Sequence, residues 1–273
     1  MHKAIRITRQ WLASAYGPTD WPATLLLRVC RSRPALANAL WNRFLCSRFP
    51  RVSFRPKRLA GFRLAINPTD MSQLIIYEEM FVDGAYDLSR VEFLPDIVVD
   101  CGAFEGYFTL LAQAWFPKAQ YLAFEPQTAN HAAFMQNLRL NAVDVDVRHE
   151  AVSVYSKEMN LCGAGCGAHL GADLESPATP VKVVNLCELI TDLAPQRLLI
   201  KMDIEGEEEK ILPSLLPVLP TKCAIFFEWH HGDERFRQVQ KLMEVAGFAV
   251  ERCRTWYPNG DGVAFVDAFA QRK

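Results

Sequence analysis

Two stretches of this sequence have residue types at spacings that suit chemistry. In DIVVDCGAFEGYFTLLA (96–112), an apolar run ends in Asp100 and is followed by Gly102 and Gly106 before a helical pattern begins. Glycines in such a turn adopt torsions other residues resist and let a backbone come close. The helix start adds free N–H groups and a positive dipole end. About twenty residues on, a second apolar run ends in Phe124-Glu125-Pro126, where an acid is spaced to hold the two hydroxyls of a ribose. The second stretch is a set of general acid–base candidates: Asp203 and Glu205 after RLLIKMD (197–203), and Glu228, His230 and His231 after KCAIFFE (222–228). An unperturbed histidine titrates near neutrality, which suits a base.

The elements that must carry these residues alternate in kind. Strand-like runs are expected at 97–101, 120–124, 145–152, 197–203, 222–228, 247–252 and 261–270, with helical patterns at 106–115, 127–140, 206–216 and 233–245. Uninterrupted apolar strands alternating with helices predict a mostly parallel sheet covered on both faces. The last two strands, joined through YPNGDG (257–262), are expected to pair antiparallel, and the Gly-rich 162–171 to form an excursion after the third strand. Ligands of open α/β sheets bind beyond the carboxyl ends of the strands, where all the residues above fall.

Charge divides the chain. Residues 1–60 hold twelve Lys and Arg against one acid, Asp20, whereas 61–273 hold 18 basic and 30 acidic residues, for a net charge of −1 overall. Residues 1–58 read as a basic segment of two or three short helices, and 59–273 as the main domain, opening with a strand at 59–67 and a helix at 71–82. Arginines interleaved with Trp11, Trp21, Trp41, Phe44, Phe49 and Phe54 suit either an anionic partner (RNA, lipid headgroups or an acidic glycan) or a small helical core with a solvated face. The eight cysteines are scattered without a CxxC pair, which argues for reduced thiols and against a zinc site. No run reaches the ~20 apolar residues of a membrane span, and neither a secretory signal nor a mitochondrial presequence is the expected reading of the N-terminus.

Two features separate the cofactor options. The glycine pattern is GxxxG rather than the GxGxxG of dinucleotide enzymes, and Asp100 sits in the turn itself. A carboxylate there suits the sulfonium and amino group of S-adenosylmethionine better than a pyrophosphate. With VVDCGAFEGYFTL, AFEP, NLRLN (137–141), EAVS (150–153) and LLIKMDIEGEEEKIL (198–212), the sequence resembles the FkbM-type class I methyltransferases. The K-x-D-x-E-G element, Lys201, Asp203, Glu205 and Gly206, is the most specific match, and Phe104-Glu105 is a departure.

The resemblance implies a doubly wound, Rossmann-like seven-stranded sheet in the order 3-2-1-4-5-7-6 with the last strand antiparallel, behind the basic helical extension. It implies an S-adenosylmethionine-dependent O-methyltransferase acting on a hydroxyl of a sugar, glycan or natural product. The cofactor residues it implies are Asp100, Gly102, Ala103, Phe104, Gly106, Glu125, Pro126, Glu150, Ala151 and Asp203, with Tyr86 as a lid. The catalytic set is Asp203, Glu205, Glu228, His230 and His231. Lys201 is read as a counter-ion. A divalent ion held by these acids and a histidine is a second option that spacing alone does not select, and no metal ligands are assigned. An RNA methyltransferase using the basic segment and a non-catalytic α/β binding module are the competing readings. A cytoplasmic location, with peripheral attachment at a membrane as a variant, is expected on family grounds.

Overall fold

The computed structural model describes residues 2–35, 51–163, 167–171, 178–256 and 265–272. The chain divides into two compact units. The first comprises residues 1–88, 106–115 and 136–144, and the second residues 89–105, 116–135 and 145–273.

In the first unit, α1 (His2–Ala13) and α2 (Trp21–Ser32) precede a short antiparallel pair, β1 (Val52–Phe54) with β2 (Leu64–Ile66). Pro22 starts α2, and Thr24, Leu27 and Cys30 form its buried face at helical spacing. Trp11 is fully buried with its ring 5.2 Å from that of Tyr77, whose hydroxyl lies 2.7 Å from Ser14 Oγ. The aromatic-core reading thus describes Trp11 and Phe54, while Trp21 is exposed; Trp41, Phe44 and Phe49 lie outside the described residues. The expected helix at 71–82 is α3 (Met71–Tyr77), capped by Asp70, which runs on as a π-helical turn over Glu78–Asp83. The strand expected at 59–67 is only the three residues of β2, because a 3₁₀ turn occupies Lys57–Leu59. Arg58 donates to the carbonyls of Met80, Ala85 and Tyr86, satisfying the backbone of the turn past Gly84. The helix α4 (Tyr107–Trp115) is also counted with this unit.

The second unit is built on strands β3 (Ile97–Cys101), β4 (Gln120–Phe124), β5 (Asp146–Arg148), β6 (Ala151–Ser153), β7 (Lys157–Cys162), β8 (His169–Leu170), β9 (Ala178–Asn185), β10 (Arg197–Met202), β11 (Lys222–Trp229), β12 (Phe248–Trp256) and β13 (Phe265–Arg272). Seven of them form one sheet in the order β12-β13-β11-β10-β3-β4-β5. Counted along the chain, that is the predicted 3-2-1-4-5-7-6, with β13 antiparallel to both neighbours and the six others running in one direction. The fold is that of a class I methyltransferase. Every residue of β3 is buried, and Val99, Ile200, Ile225 and Phe227 belong to one continuous core with Leu212, Phe236 and Met243 from the helices.

The predicted strand 145–152 is two strands in different sheets. β5 ends at Arg148, and β6 begins at Ala151 in a four-stranded sheet, β6-β9-β7-β8, which fills the region after the third strand. Residues 164–166 of the Gly-rich stretch and the loop 257–264 lie outside the described residues. The helices α5 (Thr128–Asn141), α6 (Leu186–Leu193), α7 (Glu208–Leu215) and α8 (Gly232–Val245) complete the described elements used below. Of these, α6 was not foreseen; Asn185 caps it by accepting from Cys187 and Glu188 amides. Among the described residues no helix is long and apolar enough to cross a membrane.

Candidate active site

β3, β4, β10 and β11 are parallel and end on the same side of the sheet, which brings their carboxyl-end residues together. At the β3 end, the amides of Gly102 and Ala103 both donate to the Phe124 carbonyl, and that of Phe104 donates to Glu125 Oε2 at 2.7 Å. Gly102 has φ +72, and a Cβ there would lie 1.9 Å from the Asp203 carbonyl oxygen. The glycine is therefore required by the close approach of the chain after β10.

Glu125 is buried, and its other oxygen accepts from the Gln127 amide at 2.9 Å and from Asn130 Nδ2 at 3.3 Å. Burial pushes its pKa up to about 7, against the pull of those donors and of Lys201. Pro126 follows, half-buried.

Asp100 is 1 % exposed and Lys201 only 5 %. The Lys201 ammonium lies 3.7 Å from Asp100, 3.6 Å from Asp203, and donates to the Gly102 carbonyl. Burial alone lowers a lysine; here Asp203 and Asp100 override it and hold the pKa above its ordinary value. Lys201 is thus a buried counter-ion to two carboxylates, as its alternation with Asp203 along the strand suggested.

The ends of β10 and β11 hold a denser cluster. His230 Nε2 lies 3.3 Å from Glu228 Oε1, 3.5 Å from Glu205 Oε2 and 4.0 Å from Asp203 Oδ1, and its Nδ1 lies 3.5 Å from Glu208 Oε2. Burial first, then the nearby Asp203, push Glu205 up to about 7 and Glu228 up to about 8. For His230 burial works downward, but Glu208 and Glu228 outweigh it and push the imidazole up to about 12.

Glu205 has φ +55, a left-handed conformation that costs a non-glycine residue roughly 1–2 kcal/mol. Its neighbours hold it there: Glu208 accepts from the amides on either side, Ile204 at 2.7 Å and Gly206 at 2.8 Å. His231 does the same from outside, donating from Nε2 to the Gly206 carbonyl at 2.7 Å. Its other nitrogen is 3.8 Å from Glu209, so His231 braces the turn and is not part of the cluster around His230. Glu208 was missed in the sequence; its place in the run Glu207-Glu208-Glu209 after Gly206 is the signal, since a carboxylate there can cap the preceding amides.

The remaining expected residues follow other elements. Ala151 is buried in β6, and Glu150 is ion-paired to Lys182 in the same region. Gly106 (φ +81) opens α4, and Tyr86 (φ +57) packs edge-on against Phe108 at 5.3 Å; both belong to the first unit.

Comparison with known proteins decides the family. The model of the methyltransferase FkbM domain matches residues 100–250, more than half of the chain. The chain belongs to the FkbM methyltransferase family. The methyltransferase sdnD of Sordaria araneosa is 39% identical over 66 residues, 24% of this chain and 25% of that protein. The AMB antimetabolite synthetase AmbE of Pseudomonas aeruginosa is 35% identical over 91 residues, 33% of this chain and 4% of that protein. The matches therefore span a quarter or less of these curated relatives. Among solved structures, the methyltransferase FkbM from Methylobacillus flagellatus KT shares 12% identity and a TM-score of 0.44, over 96% of this chain and 62% of its own. TYW2 of M. jannaschii, in complex with AdoMet, shares 14% identity and a TM-score of 0.44 over 81% and 85%.

An FkbM methyltransferase draws its methyl group from S-adenosylmethionine, and the residues here fit that group. A locked, buried carboxylate ends the second strand with acceptor capacity beyond its three donors, as a ribose diol requires. Half-buried Asp203 offers negative charge to a cationic ligand.

Proposed function

We propose that this chain is an O-methyltransferase for a hydroxyl of a sugar, glycan or natural product. The observation that carries the reading is the carboxylate cluster around His230 at the ends of β10 and β11, with Glu205 held in a strained turn beside it. An alcohol must lose its proton to become a good nucleophile, and a positioned carboxylate takes it. The match to a synthetase named for an antimetabolite is in keeping with a natural-product acceptor.

S-adenosylmethionine, when bound, supplies a methyl group activated on a sulfonium. In this reading Glu125 accepts from its ribose hydroxyls, and Asp100, Gly102, Ala103 and Phe104 shape the strand end beside it. Glu150 and Ala151 flank the adenine. Glu205 would accept the acceptor's hydroxyl proton as the oxygen takes the methyl group that the bound cofactor would supply. Glu208 and His231 are positioning residues that keep Glu205 in its left-handed conformation. Asp203 and Glu228 supply negative charge on the acceptor's side of the cluster.

The test is transfer of radiolabelled methyl from S-adenosylmethionine to panels of polyhydroxylated sugars, glycans and hydroxylated natural products, and to RNA. Label in a base-stable ether on a hydroxyl acceptor is the expected result. Label confined to RNA, or to nitrogen, overturns it.

One surface feature favours an anionic lipid partner for the basic segment. Trp21, Leu25 and Val29 are exposed at i, i+4 and i+8 along α2, opposite its buried face, and Arg6, Arg9 and Arg33 are exposed nearby in sequence. Leu25 and Val29 cannot stack on bases as Trp21 could, whereas all three can enter the headgroup boundary beside arginines. Sedimentation with phosphatidylglycerol vesicles but not phosphatidylcholine vesicles, abolished by Leu25→Glu, is expected; binding to RNA unaffected by Leu25→Glu would contradict it.

A further inference from the structure

His230 is the best-buried member of its cluster apart from Glu208, with a side chain 7 % exposed. A buried imidazole ordinarily makes hydrogen bonds of about 2.7–3.2 Å. This one does not. Its Nδ1 has no hydrogen-bond partner. Its Nε2 points among three carboxylates whose oxygens stand 3.3, 3.5 and 4.0 Å away. Glu208, the fourth acid, already spends both oxygens on the Ile204 and Gly206 amides.

Those separations are at or beyond the long end of hydrogen-bond distances, and they also fit another arrangement. Two ligands of one ion at bond lengths of about 2.1 Å lie about 3.0–3.4 Å apart, along the edge of an octahedron or tetrahedron. His230 Nε2 and Glu228 Oε1, at 3.3 Å, have that edge length, and Asp203 Oδ1 is slightly wide of it. One ligand atom from each of Asp203, Glu228 and His230 lies within 4.8 Å of the others. All three are on or just after two neighbouring parallel strands, β10 and β11, so the backbone fixes their spacing. Among the described residues, Lys201 is the cation paired with Asp203, and it is shared with Asp100.

We propose that Asp203, Glu228 and His230 form a binding site for one divalent transition-metal ion. A single imidazole with two carboxylates is a mixed donor set that suits Mn²⁺ better than the all-oxygen shells of Mg²⁺ and Ca²⁺. Three protein ligands leave coordination positions open. Resting on the reading of this cluster as the acceptor site, the ion would take the acceptor's oxygen there and lower its pKa, with Glu205 at the rim to receive the proton.

The test uses the full chain after chelator treatment, titrated with MnCl₂ while the signal of free Mn²⁺ is followed by electron paramagnetic resonance. One Mn²⁺ per chain is expected, with affinity falling at least about tenfold in Glu228→Gln and in His230→Asn and unchanged in the surface control Glu251→Gln. Thermal unfolding identifies any variant that fails to fold, and Asp203→Asn then substitutes for it. Folded wild type that takes up no Mn²⁺, or uptake unaltered in all three ligand variants, overturns the site and leaves the cluster an internal imidazolium–carboxylate group. Methyl transfer to a hydroxyl acceptor in excess chelator would likewise overturn the metal's role while the O-methyltransferase reading stood. Mn²⁺ binding without any hydroxyl methylation would do the reverse.

Discussion

Glu125, which is buried, and Glu228, which is partly buried, end parallel strands of the same sheet, yet their surroundings differ. Glu125 accepts from two backbone amides and an asparagine, with the shortest contact at 2.7 Å. Glu228 faces an imidazole at 3.3 Å that makes no closer polar contact. The first region is satisfied by its own chain and is already shaped to receive a ligand of fixed form. The second crowds three carboxylates around one imidazole and is short of donors. Such a deficit makes sense where a ligand completes the site. In the function and metal site proposed above, the two strand ends divide the work: one would hold the cofactor, the other the acceptor and an ion.

The largest effects are expected where the two regions touch. Gly102→Ala places a Cβ 1.9 Å from the Asp203 carbonyl oxygen, at φ +72. Neither backbone can yield cheaply, so a loss of stability above about 4 kcal/mol, or failure to fold, is expected in urea unfolding. A fully stable variant would show that the ends of β3 and β10 are not pressed together. Lys201→Met leaves Asp100 and Asp203 without their shared cation. It should cost about 3–5 kcal/mol, the range for breaking a buried pair; a loss under about 1 kcal/mol would mean the acids are solvated.

A pH titration sharpens the contrast from the cofactor side. Burial pushes Glu125 up to about 7, so much of it is protonated in slightly acidic solution. Ribose hydroxyls donate to the charged form, so that form must be populated for tight binding. S-adenosylhomocysteine affinity should therefore rise up to about tenfold per pH unit below 7 and level off above it. Calorimetry at pH 5.5, 6.5 and 8 checks the slope, and a flat profile would show that the carboxylate is already ionised or does not bind the ribose. The smallest effect is expected from His231→Ala, which removes one donor from the Gly206 carbonyl. About 1 kcal/mol of stability should be lost in urea unfolding. Loss of S-adenosylhomocysteine binding as well would place His231 nearer the chemistry than its bracing role implies.

The main sheet was legible because its inner strands, such as IVVDC and LLIKM, are buried on both faces and read as unbroken apolar runs. The four-stranded sheet was not. β7 and β9 bury only some of their side chains, and Pro180 inside β9 argues against a strand in the sequence. The break between β5 and β6 was hidden because VDVRHEAVS has no turn residue to mark it. In the site, motif position named both carboxylate groups, and alternation along the strand gave Lys201 its role. It did not separate His230 from His231, since adjacent residues at a strand end face opposite ways only once the strand's limit is known. Nor did it reveal Glu208, because three consecutive glutamates at a helix start read as a solvated face.

The division between the strand ends is tested most directly without any acceptor. S-adenosylhomocysteine is titrated calorimetrically, at pH 8, into folded wild type, Glu125→Gln and Glu228→Gln. The account predicts a loss of about tenfold to a hundredfold in affinity for Glu125→Gln, as for a hydrogen bond to a charged group, and an unchanged affinity for Glu228→Gln. Equal losses in the two variants, or a loss in Glu228→Gln alone, would contradict it.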